Sequence, residues 1–173
     1  MPSFGHVPRA IGGIVQDIIM DHMATGYQWE ATIYLEIWLE LERRHGRAVA
    51  KEICAKAMYD AGLRFGKRMA EHAGKNDLAT LKEIWEALYP VGDDTEWDGR
   101  RLAFHGHGCV IKSTLGMYDL PEDLFHEIAM VFCEGDRGFA NGFNPEIRFT
   151  WGGRIFRDEP ECLWIMETPD STG

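Results

Sequence analysis

The feature that most limits what this chain can fold into is a change of hydrophobic period near its middle. Before about residue 90 apolar side chains recur three and four apart, as on one face of a helix. The first row is Ile11, Ile14, Val15, Ile18 and Ile19, broken by Thr25-Gly26. A second runs from Trp29 to His45 through Ile33, Ile37, Trp38 and Leu41, and Gly46 follows as a C-cap or a kink. A third, Ala48 to His72, carries Ile53, Ala57, Met58, Ala61 and Phe65. It also places Gly62 and Gly66 four apart, a spacing that in a soluble helix points to close packing on a neighbour. Asp77 caps a shorter helix through Leu88, which Pro90 ends.

Beyond residue 93 the pattern changes. Asp93 to Gly99 is a turn-rich acidic stretch, with Asp98-Gly99 a hairpin signal. Arg101 to Ile111 alternates as a strand, and Pro121 opens a helix that runs to about Phe139. The run Asn141-Gly142-Phe143-Asn144-Pro145 reads as a loop. Strands at about 146–156 and 162–167 are joined by Arg157-Asp158-Glu159-Pro160. The expectation is a single α+β domain over 1–173. Its helical N-terminal half, about 10–90, packs on a small antiparallel sheet with one further helix, about 93–168.

Charge and cysteine usage narrow the function classes. With 28 acidic against 18 basic side chains the formal charge is −10, which disfavours nucleic acid and anionic membrane as partners. No 18-residue apolar run is present, and residues 1–9 lack a secretory pattern. Cys54, Cys109, Cys133 and Cys162 are too widely spread for a disulfide framework, so the expectation is free thiols in the cytoplasm.

Chemistry concentrates on His105-Gly106-His107-Gly108-Cys109. On a strand, His105, His107 and Cys109 would project to one side. Imidazoles and a thiolate suit a divalent metal such as zinc, iron or manganese. The same trio suits a cysteine nucleophile with an adjacent base, and equally a Gly-rich strand end with solvent-facing histidines. Cys133 and Asp136, three apart on a predicted helix, share a face and could complete the site. Arg137, Arg148 and Arg154 would suit an anionic substrate, and Cys162 begins the last strand. The basic group Arg64, Lys67 and Arg68 reads as a solvated helix face or a pocket mouth. No G-x-S-x-G, P-loop, H-E-x-x-H or C-x-x-C motif occurs.

The order Cys109, Gly116, Cys133-x-x-Asp136, Gly142-Phe143-Asn144-Pro145 and Cys162 resembles the L-2-amino-thiazoline-4-carboxylic acid hydrolase family over roughly residues 100 to 167. The resemblance implies a small hydrolase that opens a C–N or C–S bond of a cyclic, amidine-like carboxylate. Cys109, Cys133, Asp136 and Cys162 are the positions that carry over. Two places depart from the family pattern: Gly108 stands where an arginine is expected, and Leu163-Trp164-Ile165 where an acidic–aromatic–basic run is expected. The alternatives are a non-catalytic binding module and a structural subunit. A homo-oligomer is expected from an exposed sheet face.

Overall fold

The computed structural model describes the backbone of residues 9–88 and 94–169, and the side chains of 26–86 and 94–169. Helix α1, Arg9–His45, is continuous through Thr25-Gly26, so the expected break is absent. A lone Gly costs a helix only about 1 kcal/mol, which a long helix tolerates. The early stripe from Ile11 to Ile19 lies on this helix, with its side chains outside the described set. Gly46 separates α1 from α2, Arg47–Ala73, and its φ of 87° is a conformation open to Gly and strained for other residues. Helix α3, Leu78–Leu88, starts as expected, with Asp77 Oδ1 accepting from the Thr80 N–H at 2.8 Å. The stop at Pro90 lies outside the described residues.

The second half holds more helix than its alternation suggests. The acidic stretch contributes a strand, β1, Asp94–Trp97, joined through Asp98 and Gly99 to β2, Arg101–Gly106. That strand ends five residues before the predicted limit because Cys109 caps a short helix, α4, Val110–Leu115. In place of one helix to Phe139 there are two, α5, Glu122–Phe132, and α6, Glu134–Phe143, hinged at Cys133. The predicted loop at 141–145 is thus helical as far as Phe143. Strand β3, Arg148–Gly153, is followed by a 3-10 turn, Ile155–Arg157, and by β4, Cys162–Glu167. The four strands pair antiparallel in the order β1-β2-β4-β3, so the architecture is α+β as expected.

Two apolar clusters hold these layers. One gathers Tyr34, Leu35 and Trp38 of α1 with Cys54, Ile111, Leu115, Ile128 and Phe156. The other sets Leu102, Phe104 and Met166 of the sheet against Leu81, Phe139 and Phe143. Their common wall is the α2–α6 seam, where backbone meets backbone. A Cβ on Gly62 would fall 2.0 Å from the Gly135 carbonyl oxygen, and one on Gly66 2.1 Å from that of Phe139. From the other side, a Cβ on Gly138 or Gly142 would meet the oxygens of Tyr59 and Leu63 at 2.1 Å. The close packing expected of Gly62 and Gly66 is therefore present, and α6 supplies its own glycines to receive it. Among the described residues no helix is long and apolar enough to cross a membrane.

Candidate functional site

Three of the four thiols meet where the ends of α4, β4 and the α5–α6 hinge converge. Cys109 caps α4, its Sγ accepting from the Lys112 N–H at 3.4 Å. Strand pairing sets Gly106 beside Cys162, which brings the start of β4 next to that cap. The Cys162 sulfur accepts from the Ile155 N–H at 3.4 Å, and its thiol is close enough to that of Cys109 for the two to share a proton. All four cysteines are free.

That shared bond divides the two thiols. The Cys162 contact favours the Cys109 thiolate, and the Lys112 N–H helps, so the Cys109 pKa falls below the ordinary thiol value despite burial. Cys162 moves up for the same reason, since it keeps the proton it shares, and its own burial adds to this. Cys133 is pushed well up by burial, and the neighbouring carboxylate of Asp136 acts in the same sense. The site thus has one thiol tuned to ionise and two held protonated.

Asp136 sits in the first turn of α6, its N–H bonded to the Cys133 carbonyl at 3.1 Å. Burial raises its pKa to about 6, and a hydrogen bond from Trp164 Nε1–H to Oδ2, 3.0 Å, works against that rise. Trp164 can lie there because β2 has no side chain at Gly106: a Cβ would fall 2.5 Å from the indole ring. Trp151 pairs with Trp164 across β3–β4, and Arg154 stacks on Trp151 with its guanidinium 4.4 Å from the ring centroid. Arg154 Nε and Trp151 Nε1 are buried donors without a hydrogen-bond partner.

The sequence-predicted residues divide accordingly. Cys109, Cys133, Asp136 and Cys162 come together. His105 does not join them: it alternates with Phe104 and Gly106 and so lies on the opposite sheet face, beside Leu163. There Nδ1 lies 3.0 Å from Glu161 and Nε2 3.3 Å from Glu96, and the Glu161 contact raises its pKa. His107 is exposed past the end of β2. The strand stops before His107 and Cys109 can share a face with His105, so the predicted metal trio is not assembled. Among the described residues no group of three or more His, Cys, Asp or Glu side chains is arranged to hold a metal ion. The donor set does not fit zinc, iron or manganese.

Two predicted substrate arginines are also displaced. Arg148 is exposed on edge strand β3, and Arg137 is exposed, paired with Glu134 and 5.8 Å above the Tyr59 ring. Arg137 instead lines an open cleft of about 690 Å³ between α2 and α5–α6, with Lys51, Tyr59, Met130, Glu134 and Arg157. Trp164 stands out in the sequence only within the departing run Leu163-Trp164-Ile165, and Trp151 not at all. Period two along β4 was the available signal, since Trp164 shares the face of Cys162.

A family model for L-2-amino-thiazoline-4-carboxylic acid hydrolase matches residues 26–164. A search among curated proteins found no match. Among solved structures, the fold is similar to a trafficking protein particle complex subunit 3 from Naegleria fowleri covalently bound to palmitic acid. That pair has a TM-score of 0.54 at 11% identity, covering 84% of this chain and 96% of that one. It is also similar to the phenol-responsive sensory domain of the transcription activator PoxR with phenol, at TM-score 0.49 and 12% identity, over 80% and 73% of the two chains.

Proposed function

Since the chain belongs to the L-2-amino-thiazoline-4-carboxylic acid hydrolase family, we propose that it is a small hydrolase that opens a C–N or C–S bond of a cyclic or amidine-like carboxylate. The observation that carries this reading is the convergence of Cys109, Cys133 and Cys162 at one place, where the Cys109 thiol is lowered by Cys162 and by the Lys112 N–H and where Asp136, a buried carboxyl that titrates near 6, acts on Cys133 and Cys162. The Cys109 thiolate adds to the amidine-type carbon, and the ring heteroatom leaves with the proton of the Asp136 carboxyl. Water, deprotonated by the Asp136 carboxylate, then displaces the thiolate, so the net change is addition of one water. Cys133 and Cys162 stay protonated, and Cys162 steadies the nucleophile. Neither histidine takes part, because His105 faces away and His107 faces solvent.

In this reading the partner is a small molecule, not nucleic acid or membrane, and the compartment is the cytoplasm. A homo-oligomer belongs to it too, supported by the exposed apolar side chains Trp29, Ile33 and Ile37 of α1. Light scattering that finds only monomer would remove that part.

The test is turnover of L-2-amino-thiazoline-4-carboxylate by the purified chain, followed as ring-opened product by mass spectrometry. Activity that disappears in Cys109→Ser supports the reading, and a wild-type chain with no turnover of this compound sinks it. The open cleft between α2 and α5–α6 favours a second reading, a non-catalytic small-molecule binder of the same fold. Saturable binding without turnover is its signature.

A further inference from the structure

We propose that Arg154, stacked on Trp151, is the group that receives the carboxylate of the substrate. This deepens the hydrolase reading by naming its anchoring residue, and it concerns binding alone. Arg154 follows β3, and its backbone N–H donates to Glu159 Oε2 at 2.5 Å. Among the described residues no acidic side chain lies within ion-pair distance of the guanidinium, and Glu159 and Asp136 act on it only from further away. The half-buried cation lies at 4.4 Å over an indole ring, with its Nε buried and unbonded. The indole Nε1–H of Trp151 is buried and unbonded too.

Orphaned donors on two stacked side chains are costly in a folded chain, because a buried N–H without an acceptor keeps its full desolvation penalty. A planar anion on the guanidinium removes the Arg154 penalty. The guanidinium edge offers the paired geometry that a carboxylate accepts. The location also suits a small substrate. Arg154 is close enough to Cys133 and Cys162 to interact electrostatically with both, and Trp151 pairs across strands with Trp164, the partner of Asp136. A carboxylate on Arg154 would place the remainder of a small molecule among the thiols. Arg137 and Arg148, the other candidates, are exposed.

The experiment is calorimetric titration of the full chain carrying Cys109→Ser with two probes, L-2-amino-thiazoline-4-carboxylate and its carboxamide. The carboxylate is expected to bind at least about tenfold more tightly, the scale of a charge-assisted hydrogen bond. Arg154→Gln should abolish the difference and Arg154→Lys should retain part of it. A carboxylate-induced change in tryptophan fluorescence that is lost in Trp151→Phe provides a second readout should the Gln variant not fold. Equal binding of the probes, binding of neither, or a preference that survives Arg154→Gln would overturn the proposal. An Arg154-dependent preference in a chain without turnover would sink the hydrolase reading and leave this one standing.

Discussion

The indole N–H of Trp164 donates to Asp136 Oδ2 across 3.0 Å, so the last strand sets the protonation of a carboxyl group on α6. It is the larger of two influences, the Arg154 charge being the other, that lower a pKa which burial has raised to about 6. Trp164→Phe keeps the ring and removes the donor. The Asp136 limb of the pH–rate profile should then move to higher pH, and a profile that stays put would show that Asp136 is not the titrating group.

Asp136 also makes stability depend on pH. Its folded pKa lies above the ordinary value of 3.8, so the folded chain binds the proton more tightly than the unfolded one. The cost of ionising it is absent below about pH 4 and fully imposed above about pH 6, at about 3 kcal/mol for a shift of this size. Asp136→Asn should be more stable than wild type at pH 7 and match it near pH 4. Urea midpoints at the two pH values measure this, and equal gaps at both would contradict it.

Cys162 controls the reactivity of Cys109 through their shared hydrogen bond. Removing the donor in Cys162→Ala should raise the Cys109 pKa. Alkylation of Cys109 by iodoacetamide at pH 7 should slow by roughly tenfold for each unit of rise. The difference should vanish above the ordinary thiol pKa. Peptide mapping at pH 7 and pH 10 reads both, and an unchanged rate at pH 7 would remove Cys162 from the activation of the nucleophile.

His105 behaves differently. Its pKa is raised first by Glu161 and then, against burial, by Glu96. Stability from this charge is fully present below the ordinary imidazole pKa and is lost as pH rises through the raised folded value. His105→Gln should therefore cost less than about 1 kcal/mol at pH 5.5, nothing at pH 9, and leave turnover within twofold. A large loss of turnover would place the imidazole in the reaction after all.

The α2–α6 seam gives the clearest stability contrast. Gly66→Ala puts a methyl 2.1 Å from a carbonyl oxygen, and should cost about 3 kcal/mol or more as the helices are forced apart. Gly26→Ala meets nothing within 4 Å and should be neutral or stabilising by up to about 1 kcal/mol. Thermal melts of the two variants suffice to compare them.

What the sequence made legible follows from which forces are local. Asp77 capping α3 and the limits of β4 at Cys162 and Glu167 rest on nearest neighbours and on period two, and both were readable. The early end of β2 was not. Alternation continues in letters through His107 and Cys109, while the chain turns to cap α4 because Cys162 and Ile111 draw it into another layer. The predicted histidine–cysteine trio failed with that turn. Asn141 to Pro145 has loop composition, yet Gly142 is helical because it fits over Leu63 of α2, a partner 79 positions away in the chain. In the candidate site, Cys109, Cys133, Asp136 and Cys162 were visible as residue types. The pairing that gives one thiol the proton and another the charge depends on strand register, which no single segment encodes.

The glycine seam has one more consequence. Because methyl-free positions on each helix sit against carbonyl oxygens of the other, sliding α6 along α2 by a residue would drive a Cβ into main chain. The two helices therefore mesh like a rack with a single tooth setting. Asp136 rides on that rack between Gly135 and Gly138, and its height relative to Cys109 is fixed by residues that have no side chain at all. Substitutions at such positions would detune the chemistry without touching any group that performs it.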